Sequence, residues 1–222
     1  MQYELLKTYT LQFVYFIAGG SIRFDELSTL IRQTVSIGDF DPMLMPDAPG
    51  MPPEFPRLQI FTPEGYKLSA SKTRIDFIID LPLGLGVAET ETFKENTSLL
   101  TNMMINKGLV FSRVALVNTM FAAQDKAERE ILEALTKITP DGISNINIGF
   151  TKSSKIGNLS CNDVFNLSNG SISTGETGLV VTRDINTDAT AYQTLNQAMI
   201  LDFIPAAFMA ATPHSLQEFV GK

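Results

Sequence analysis

Two pairs of acidic residues are spaced so that their carboxylates could bind a cation or act as acid–base catalysts. Asp76 and Asp80 are four residues apart in an alternating stretch, and Asp184 and Asp188 repeat this spacing later in the chain. In a strand, residues four apart share a face, and converging carboxylates could hold a divalent cation or serve in acid–base catalysis. The simpler interpretation is a solvated strand face on which nearby arginines neutralise the acids. A metal-assisted hydrolase built on these four residues is therefore the third of three functional hypotheses.

The chain contains one cysteine and one histidine, Cys161 and His214. A thiol nucleophile with a histidine base would need both of them. Cys161 alternates with Leu159 as a strand position, and His214 follows Thr212-Pro213 near the end of the chain. We therefore expect no catalytic residue and no metal ligand here. A single cysteine also excludes an internal disulfide and fits a reducing compartment.

Two glycine-rich turns lie between a predicted strand and a predicted helix, where backbone amides could bind phosphate. Gly19-Gly20 lacks the Lys-Ser/Thr pair of a P-loop, and Gly84-Leu85-Gly86 is followed by Glu89 where a dinucleotide fingerprint has its third glycine. Both patterns are more typical of turn glycines. We therefore expect no cofactor.

The composition and net charge of the chain disfavour some classes of binding partner. The 222 residues are 44% hydrophobic, which is enough for a sizeable core, and the net charge is −7 with an isoelectric point near 4.8. This acidity disfavours binding to nucleic-acid phosphates or anionic membrane surfaces. The apolar run at residues 11–18 is shorter than the roughly 20 residues of a spanning helix, and it alternates as a strand does. We expect a soluble, cytoplasmic protein with no nucleic-acid or membrane partner.

The most regular pattern in the sequence is the stretch 57–82, which predicts three short strands joined by two tight turns. A strand at residues 7–17 and a helix with apolar positions from Phe24 to Val35 precede it. A helix at residues 91–107, stopped by Gly108, follows it. The first half of the chain therefore reads strand, helix, three strands, helix.

The second half repeats this order about 104 residues later. We predict two halves, residues 1–108 and 109–222, each a mostly antiparallel four-stranded sheet with two helices on one face. Together they would form one α+β body with pseudo-two-fold symmetry. The predicted second-half elements are a strand at 111–121, a helix at 125–138, strands at 145–151, 159–167 and 172–184 with a hairpin turn at Asn169-Gly170, and a helix at 189–211.

A proline-rich stretch, residues 42–56, interrupts the first half. Its six prolines oppose regular structure, and it carries four large apolar side chains, those of Met43, Met45, Met51 and Phe55. It is either a rigid loop that lies on the core or a contact surface for a partner protein. These four residues are the candidate partner-binding site.

The opening strands of both halves are apolar on both faces. In the first, Leu11, Phe13 and Tyr15 alternate with Val14 and Phe16. A sheet with helices on one side only should be polar on the other, so the second face needs cover. The sequence therefore predicts a protein partner or self-association, most simply a homodimer.

The segments PRLQIFTPEGYKLSASKTRIDFI and LNQAMILDFIPAAFMAATP resemble a sporadically distributed bacterial family of unknown function. That family is often associated with mobile or defence-linked genes, so the resemblance implies an interaction role in conflict with phage or mobile elements. It carries over no functional residue. The duplicated layout is also similar to the TATA-binding saddle, sliding clamps and gyrase-inhibitor-like ligand binders, and the acidic isoelectric point counts against the first two.

Three functional hypotheses remain, in order of preference. The first is a non-enzymatic protein-interaction module. The second is a small-ligand binder with a cleft between the halves, which a deep apolar pocket there would favour. The third is the hydrolase, which requires the four acids to converge on one point.

Overall fold

One nine-stranded antiparallel sheet forms the frame of the computed structural model, which describes residues 5–136, 138–139 and 141–215. Its strands lie in the order β2-β3-β4-β5-β1-β6-β9-β8-β7, so the long strands β1 and β6 pair at its centre. In chain order the strands are β1 (Lys7–Gly19), β2 (Met43–Leu44), β3 (Leu58–Phe61), β4 (Tyr66–Ala70), β5 (Arg74–Asp80), β6 (Val110–Ala123), β7 (Asn147–Ile156), β8 (Leu159–Ser171) and β9 (Thr177–Thr187).

Within the described residues, the helices that accompany the sheet are α1 (Phe24–Thr34), α2 (Val87–Asn106), α3 (Ala127–Leu135) and α4 (Gln197–Ala210). Local capping sets the ends of the two longest. The Glu89 carboxylate accepts a hydrogen bond from the Gly86 amide at the start of α2 (3.0 Å), and the Asn196 side chain accepts one from the Met199 amide at the start of α4 (2.9 Å). None of the helices in the described residues combines the length and apolar character needed to cross a membrane.

The main core lies between the centre of the sheet and helices α1, α2 and α4. Alternate residues of β1 enter it, and the Phe13 ring contacts that of Phe203 on α4 edge-on, with 6.1 Å between centroids. The buried Tyr15 hydroxyl donates to the Thr97 carbonyl of α2 at 3.0 Å and hydrogen-bonds the Thr101 hydroxyl at 2.9 Å. These contacts fix the two long helices on one face of the sheet.

A smaller core lies beneath α3 on the same face of the sheet. Met120 and Ala122 of β6 enter it, while Val114 and Leu116, which have the same alternation, enter the main core. Two polar residues that pair across the sheet, Asn118 of β6 and Arg183 of β9, lie between the residues of the two cores on these strands. All the helices therefore pack on one face, as predicted.

The predicted order of long strands and helices is confirmed, and four details of the prediction are wrong. The sheets of the two halves are continuous through the β1–β6 pairing, so the molecule has one sheet instead of two. The Pro-rich stretch contains a two-residue strand, β2, that pairs with β3. Helix α4 begins at Gln197 and not near residue 189, because Asp188 organises a turn by accepting hydrogen bonds from the Thr190 amide and hydroxyl, both at 2.8 Å.

The hairpin turn predicted at Asn169-Gly170 is also wrong. Both residues lie inside β8, paired with Leu179 and Gly178 of β9. The chain reverses farther on, at residues 172–176, where the Gly175 amide donates to the Ile172 carbonyl and Gly175 has φ +86°. The Asn169 side chain instead accepts from the Ile146 amide and donates to the Ser144 carbonyl, both at 2.8 Å, so it fastens the segment that enters β7.

On the face of the sheet opposite the helices, side chains of the sheet itself cover part of the apolar surface. Val14, Ala115 and Phe121 are buried there. The Tyr9 ring meets Phe121 edge-on, and two arginine side chains lie over Phe16, with the Arg113 guanidinium carbon 3.8 Å from the ring centroid and that of Arg74 5.4 Å away. Contacts within the sheet therefore supply part of the cover that the sequence argument assigned to the Pro-rich loop and a partner.

Candidate functional site

The Pro-Met loop, residues 42–56, lies at the surface beside the β2–β3 edge of the sheet. Met43 and Phe55 are 48% and 45% exposed, and Leu44, which the sequence prediction omitted, is 45% exposed. Met45 and Met51 are half-buried. The four predicted residues therefore divide into two that project outward and two that pack partly inward.

A buried arginine that the sequence analysis missed holds this loop from below. Arg57 has no exposed surface, although it directly follows the loop. Its guanidinium donates to the Pro52 carbonyl at 2.9 Å and to the Phe55 carbonyl, and it lies over the Phe55 ring at 5.8 Å. Its backbone carbonyl accepts from the Met45 amide at 2.8 Å. One residue thus fixes the loop backbone at several points.

An acid and a lysine complete the anchoring of the loop. The Asp47 carboxylate lies 3.3 Å from the Arg57 guanidinium and 2.5 Å from the Lys72 ammonium. The hydrogen bond from Lys72 is the main reason that the pKa of Asp47 lies below its usual value. The Lys72 amide also donates to the Pro53 carbonyl at 3.0 Å. The turn between β4 and β5 is therefore tied to the middle of the loop.

This arrangement displays apolar side chains on a backbone that is already ordered. A flexible loop would lose conformational freedom on binding, and that loss would reduce affinity. Here the carbonyl groups of the loop are bonded to Arg57 in the free protein. The loop has the physical character of a preorganised contact surface.

The four acids of the hydrolase hypothesis lie on two separate strands or just beyond them. Asp76 and Asp80 are on β5, and Asp184 is on β9, with β1 and β6 between these strands. Neighbouring strands are spaced by about 4.8 Å, so the two strands lie roughly 14 Å apart. Asp188 follows β9, where it organises the turn before α4. The structure does not bring the four carboxylates together.

Asp76 and Asp80 have basic partners instead. The Arg74 guanidinium is 2.6 Å from Asp76, and the Lys67 ammonium is 2.7 Å from Asp80. Gln12 also donates to Asp76 at 2.7 Å. Across the described ranges, no group of three or more histidine, cysteine or acidic side chains has a geometry that could hold a metal ion.

Cys161 and His214 lie in different environments. Cys161 is 2% exposed on β8, and burial raises the pKa of its thiol from about 9 to about 11. Its Sγ donates to the Leu159 carbonyl at 3.5 Å. His214 is exposed after the end of α4. A thiol with a raised pKa is mainly protonated at neutral pH, so Cys161 has the character of a structural residue.

A second buried arginine organises the other half of the chain. Arg183 of β9 forms two hydrogen bonds to the Asp163 carboxylate of β8, at 2.9 and 2.7 Å, and both side chains are buried. It also lies over the Phe165 ring at 4.5 Å and donates to the Ala210 carbonyl at the end of α4. From sequence alone, we expect Arg183 only to neutralise neighbouring acids, because the register of β8 against β9 is needed to place it beside Asp163.

A cavity of about 410 Å³ lies between the two halves. One side is formed by the start of β1 and the start of α2, and the other by β6 and the end of α4, with Leu11 and Leu116 in its lining. Asn118 also lines it, donating to the Thr8 hydroxyl at 3.1 Å and the Ala211 carbonyl at 2.7 Å. The buried Asn118 Oδ1 atom has no hydrogen-bond donor among the described residues.

No protein-family model matches the sequence, and no curated protein shows significant similarity to it.

Proposed function

We propose that this chain is a non-enzymatic protein-interaction module and that the Pro-Met loop is its contact surface. The observation that carries the proposal is the combination of exposed Met43, Leu44 and Phe55 side chains with a loop backbone held by the fully buried Arg57. The interaction role in conflict with phage or mobile elements, which the family resemblance implies, is part of the same proposal.

The chemistry of the loop defines the partner class. Methionine side chains are flexible and polarisable, so Met43 can adapt to an irregular surface, and an aromatic side chain such as Phe55 fills a pocket in the way that interface hot spots do. The partner is therefore a protein with an apolar groove. It is either a second copy of this chain or a different protein.

The pairing of Asp76 and Asp80 with basic side chains supports this ranking over the hydrolase. Carboxylates that form ion pairs on separate strands stabilise the sheet. Catalysis by paired acids instead requires both carboxylates to face the same reacting group.

We also propose that the chain is an internal duplication with residues 1–108 and 109–222 as its halves. The support is the strand order. Read from each side towards the centre, it is β3-β4-β5-β1 in the first half and β7-β8-β9-β6 in the second. The Pro-Met loop, which includes β2, is not part of this correspondence between the halves. The proposed contact surface therefore belongs to the first half alone. Superposition of the halves in an experimental structure tests the symmetry.

Photo-crosslinking tests the contact surface directly. A photoreactive benzoylphenylalanine replaces Phe55 in the cells that naturally express the chain. The matched control carries the same replacement at Phe150, which is 37% exposed on β7 at the opposite edge of the sheet. We expect a discrete crosslinked product from position 55 that is absent from position 150. A further change, Met43→Ser, should abolish it.

The size of the product identifies the partner. A product of about twice the 24.4 kDa chain mass that contains only this sequence indicates the homodimer, and any other size indicates a different protein. Equal crosslinking from positions 55 and 150, or none from position 55, would contradict the proposed surface.

A second candidate function is small-ligand binding in the cavity between the halves. The specific observation in its favour is the buried Oδ1 atom of Asn118, a residue that lines the cavity, because this atom accepts no hydrogen bond from any described residue. A ligand that carries one hydrogen-bond donor on an apolar body would satisfy it. Replacing Leu85 at the cavity wall with Trp should abolish such binding, as measured by calorimetry with candidate ligands.

A further inference from the structure

A second, larger cleft of about 550 Å³ lies between α1 and the Pro-Met loop, and all of its lining except Leu109 comes from the first half. Ile75 of β5 and Leu109 form its floor, Phe24 and Leu27 of α1 form one wall, and Leu44 and Met45 of the loop form the other. Its volume is in the range of small-molecule sites, which are typically about 300–1,000 Å³ and mainly apolar.

The four charged residues of its lining are already paired with one another. Arg23 donates to Asp25 at 3.0 Å from Nε and 2.5 Å from Nη2, and Lys72 lies 2.5 Å from Asp47. The hydroxyl of Ser71 is bonded to the backbone of Arg74, accepting from its amide at 3.0 Å. A charged ligand would lose its hydration here and meet counter-ions that already have partners. The lining therefore selects an uncharged ligand.

Both ends of the cleft are held in place. On the loop side, Met45 and Asp47 are bonded to Arg57. On the other side, Gly20 has φ +78° and packs so closely that a Cβ atom there would lie 2.1 Å from the Gly108 carbonyl oxygen. A cleft with fixed walls can bind a ligand without first being ordered, which favours affinity.

We infer that this cleft is a binding site for an uncharged, mainly apolar small molecule of one or two rings, or a short aliphatic chain. The apolar floor removes the body of the ligand from water, and the methionine side of the cleft accommodates differences in its shape. The site goes beyond the proposed interaction surface. Leu44 belongs to both sites, whereas Met45 lines only the cleft and Phe55 belongs only to the contact surface, so the two sites overlap at one residue of the loop.

The test uses the uncharged fluorophore N-phenyl-1-naphthylamine, which becomes bright when it leaves water. We expect saturable enhancement with one site per chain. Ile22→Trp places a large side chain in the cleft from a half-buried position and should weaken binding at least tenfold. The control Leu99→Trp, at an exposed position on α2 that lines neither cavity, should leave it unchanged, whereas Leu85→Trp would remove only probe bound in the cavity between the halves. The charged analogue 1-anilinonaphthalene-8-sulfonate should bind at least tenfold more weakly.

Leu44→Glu keeps the inference testable if Ile22→Trp does not fold, because Leu44 is exposed at the mouth of the cleft and its replacement leaves the core intact. It too should weaken probe binding at least tenfold. Absence of saturable enhancement, or loss of binding in Leu85→Trp but not in Ile22→Trp or Leu44→Glu, would overturn the site. Equal affinity for the sulfonate would overturn the uncharged class. The titration needs no partner protein, so its outcome is separate from that of the crosslinking experiment.

Discussion

Each half of the chain contains one buried arginine, and the two arginines stabilise different kinds of structure. Arg57 in the first half bonds mainly to backbone carbonyls of a surface loop, and its acidic partner Asp47 is half exposed. Arg183 in the second half faces Asp163, which is as deeply buried as the arginine itself. A guanidinium with five donors can serve either purpose.

The two arginines differ in the polar groups that would lose a partner if each arginine were removed. Without Arg57, Asp47 would keep Lys72 and water as partners, and the loop carbonyls lie near the surface. Without Arg183, the buried Asp163 carboxylate would lose the two hydrogen bonds that its guanidinium partner donates, which is far costlier. The burial of an arginine is therefore a poor measure of its contribution to the free energy of unfolding, and the burial of its acidic partner is a better one. The predictions below test that difference, beginning with the largest expected effect.

Arg183→Met should destabilise the fold by about 3–5 kcal/mol, because it removes the doubly hydrogen-bonded partner of the buried Asp163 carboxylate. Urea denaturation monitored by circular dichroism measures this loss. The control is the double variant Arg183→Met with Asp163→Leu, which removes both charges and should recover most of the stability. A single variant as stable as the double one would contradict the comparison.

Cys161 reports on the same region, since it lies on β8 two residues before Asp163 and on the same face. Burial raises the pKa of its thiol to about 11, so the thiolate fraction at pH 8 is about a hundredfold lower than in the unfolded chain. Iodoacetamide should label the native protein at least a hundredfold more slowly than the protein in urea, and the rate should rise with pH until about pH 11. Rapid labelling at pH 7 would contradict the burial of this strand.

Arg57→Met should cost about 2 kcal/mol, less than Arg183→Met, because it removes hydrogen bonds to loop carbonyls that water can replace. Its second effect is local. The Pro-Met loop should become sensitive to proteolysis, and mass spectrometry of the fragments should place the cuts within residues 42–56. Cleavage elsewhere, or a stability loss equal to that of Arg183→Met, would remove the distinction between the two arginines.

Asp47→Asn should have the smallest effect, and the effect should depend on pH. The Lys72 hydrogen bond lowers the pKa of Asp47 in the folded state, so the ionised carboxylate stabilises the fold above its unfolded pKa, and this contribution is lost as pH falls through the lowered value. The urea midpoint of the variant should lie slightly below that of the natural protein at pH 7 and coincide with it at pH 2. A difference that persists at pH 2 would assign the role of Asp47 to packing.

The sequence predicted the elements well where alternation and capping are local. The three strands of the 57–82 stretch and the order of the long helices follow from the spacing of apolar residues, since each pattern needs only its own segment. The apolar side chains of the Pro-Met loop were also visible in the sequence. Two of the four, Met43 and Phe55, project outward in the structure.

Features that depend on register or on distant contacts were not predictable in this way. Asn169-Gly170 has the composition of a hairpin turn, yet pairing with Leu179 and Gly178 keeps both residues in β8. The burial of Arg57 depends on the path of the loop above it, and the Arg183–Asp163 pair depends on the alignment of β8 with β9. A single sequence contains the partners in these cases but not the distances between them.

The pairing of β1 with β6 at the centre of the sheet affects how the chain folds while it is being synthesised. Lys7 of β1 pairs with Phe121 of β6, more than a hundred residues later, whereas β5 supplies the other neighbour of β1 much earlier. At about 5–20 residues per second, the second edge of β1 stays open for a few seconds after β5 has left the ribosome. Contacts this far apart in sequence also form slowly during folding. A nascent chain stopped before residue 110 therefore presents an unpaired apolar strand, and it is at this stage that chaperones would have the most to bind.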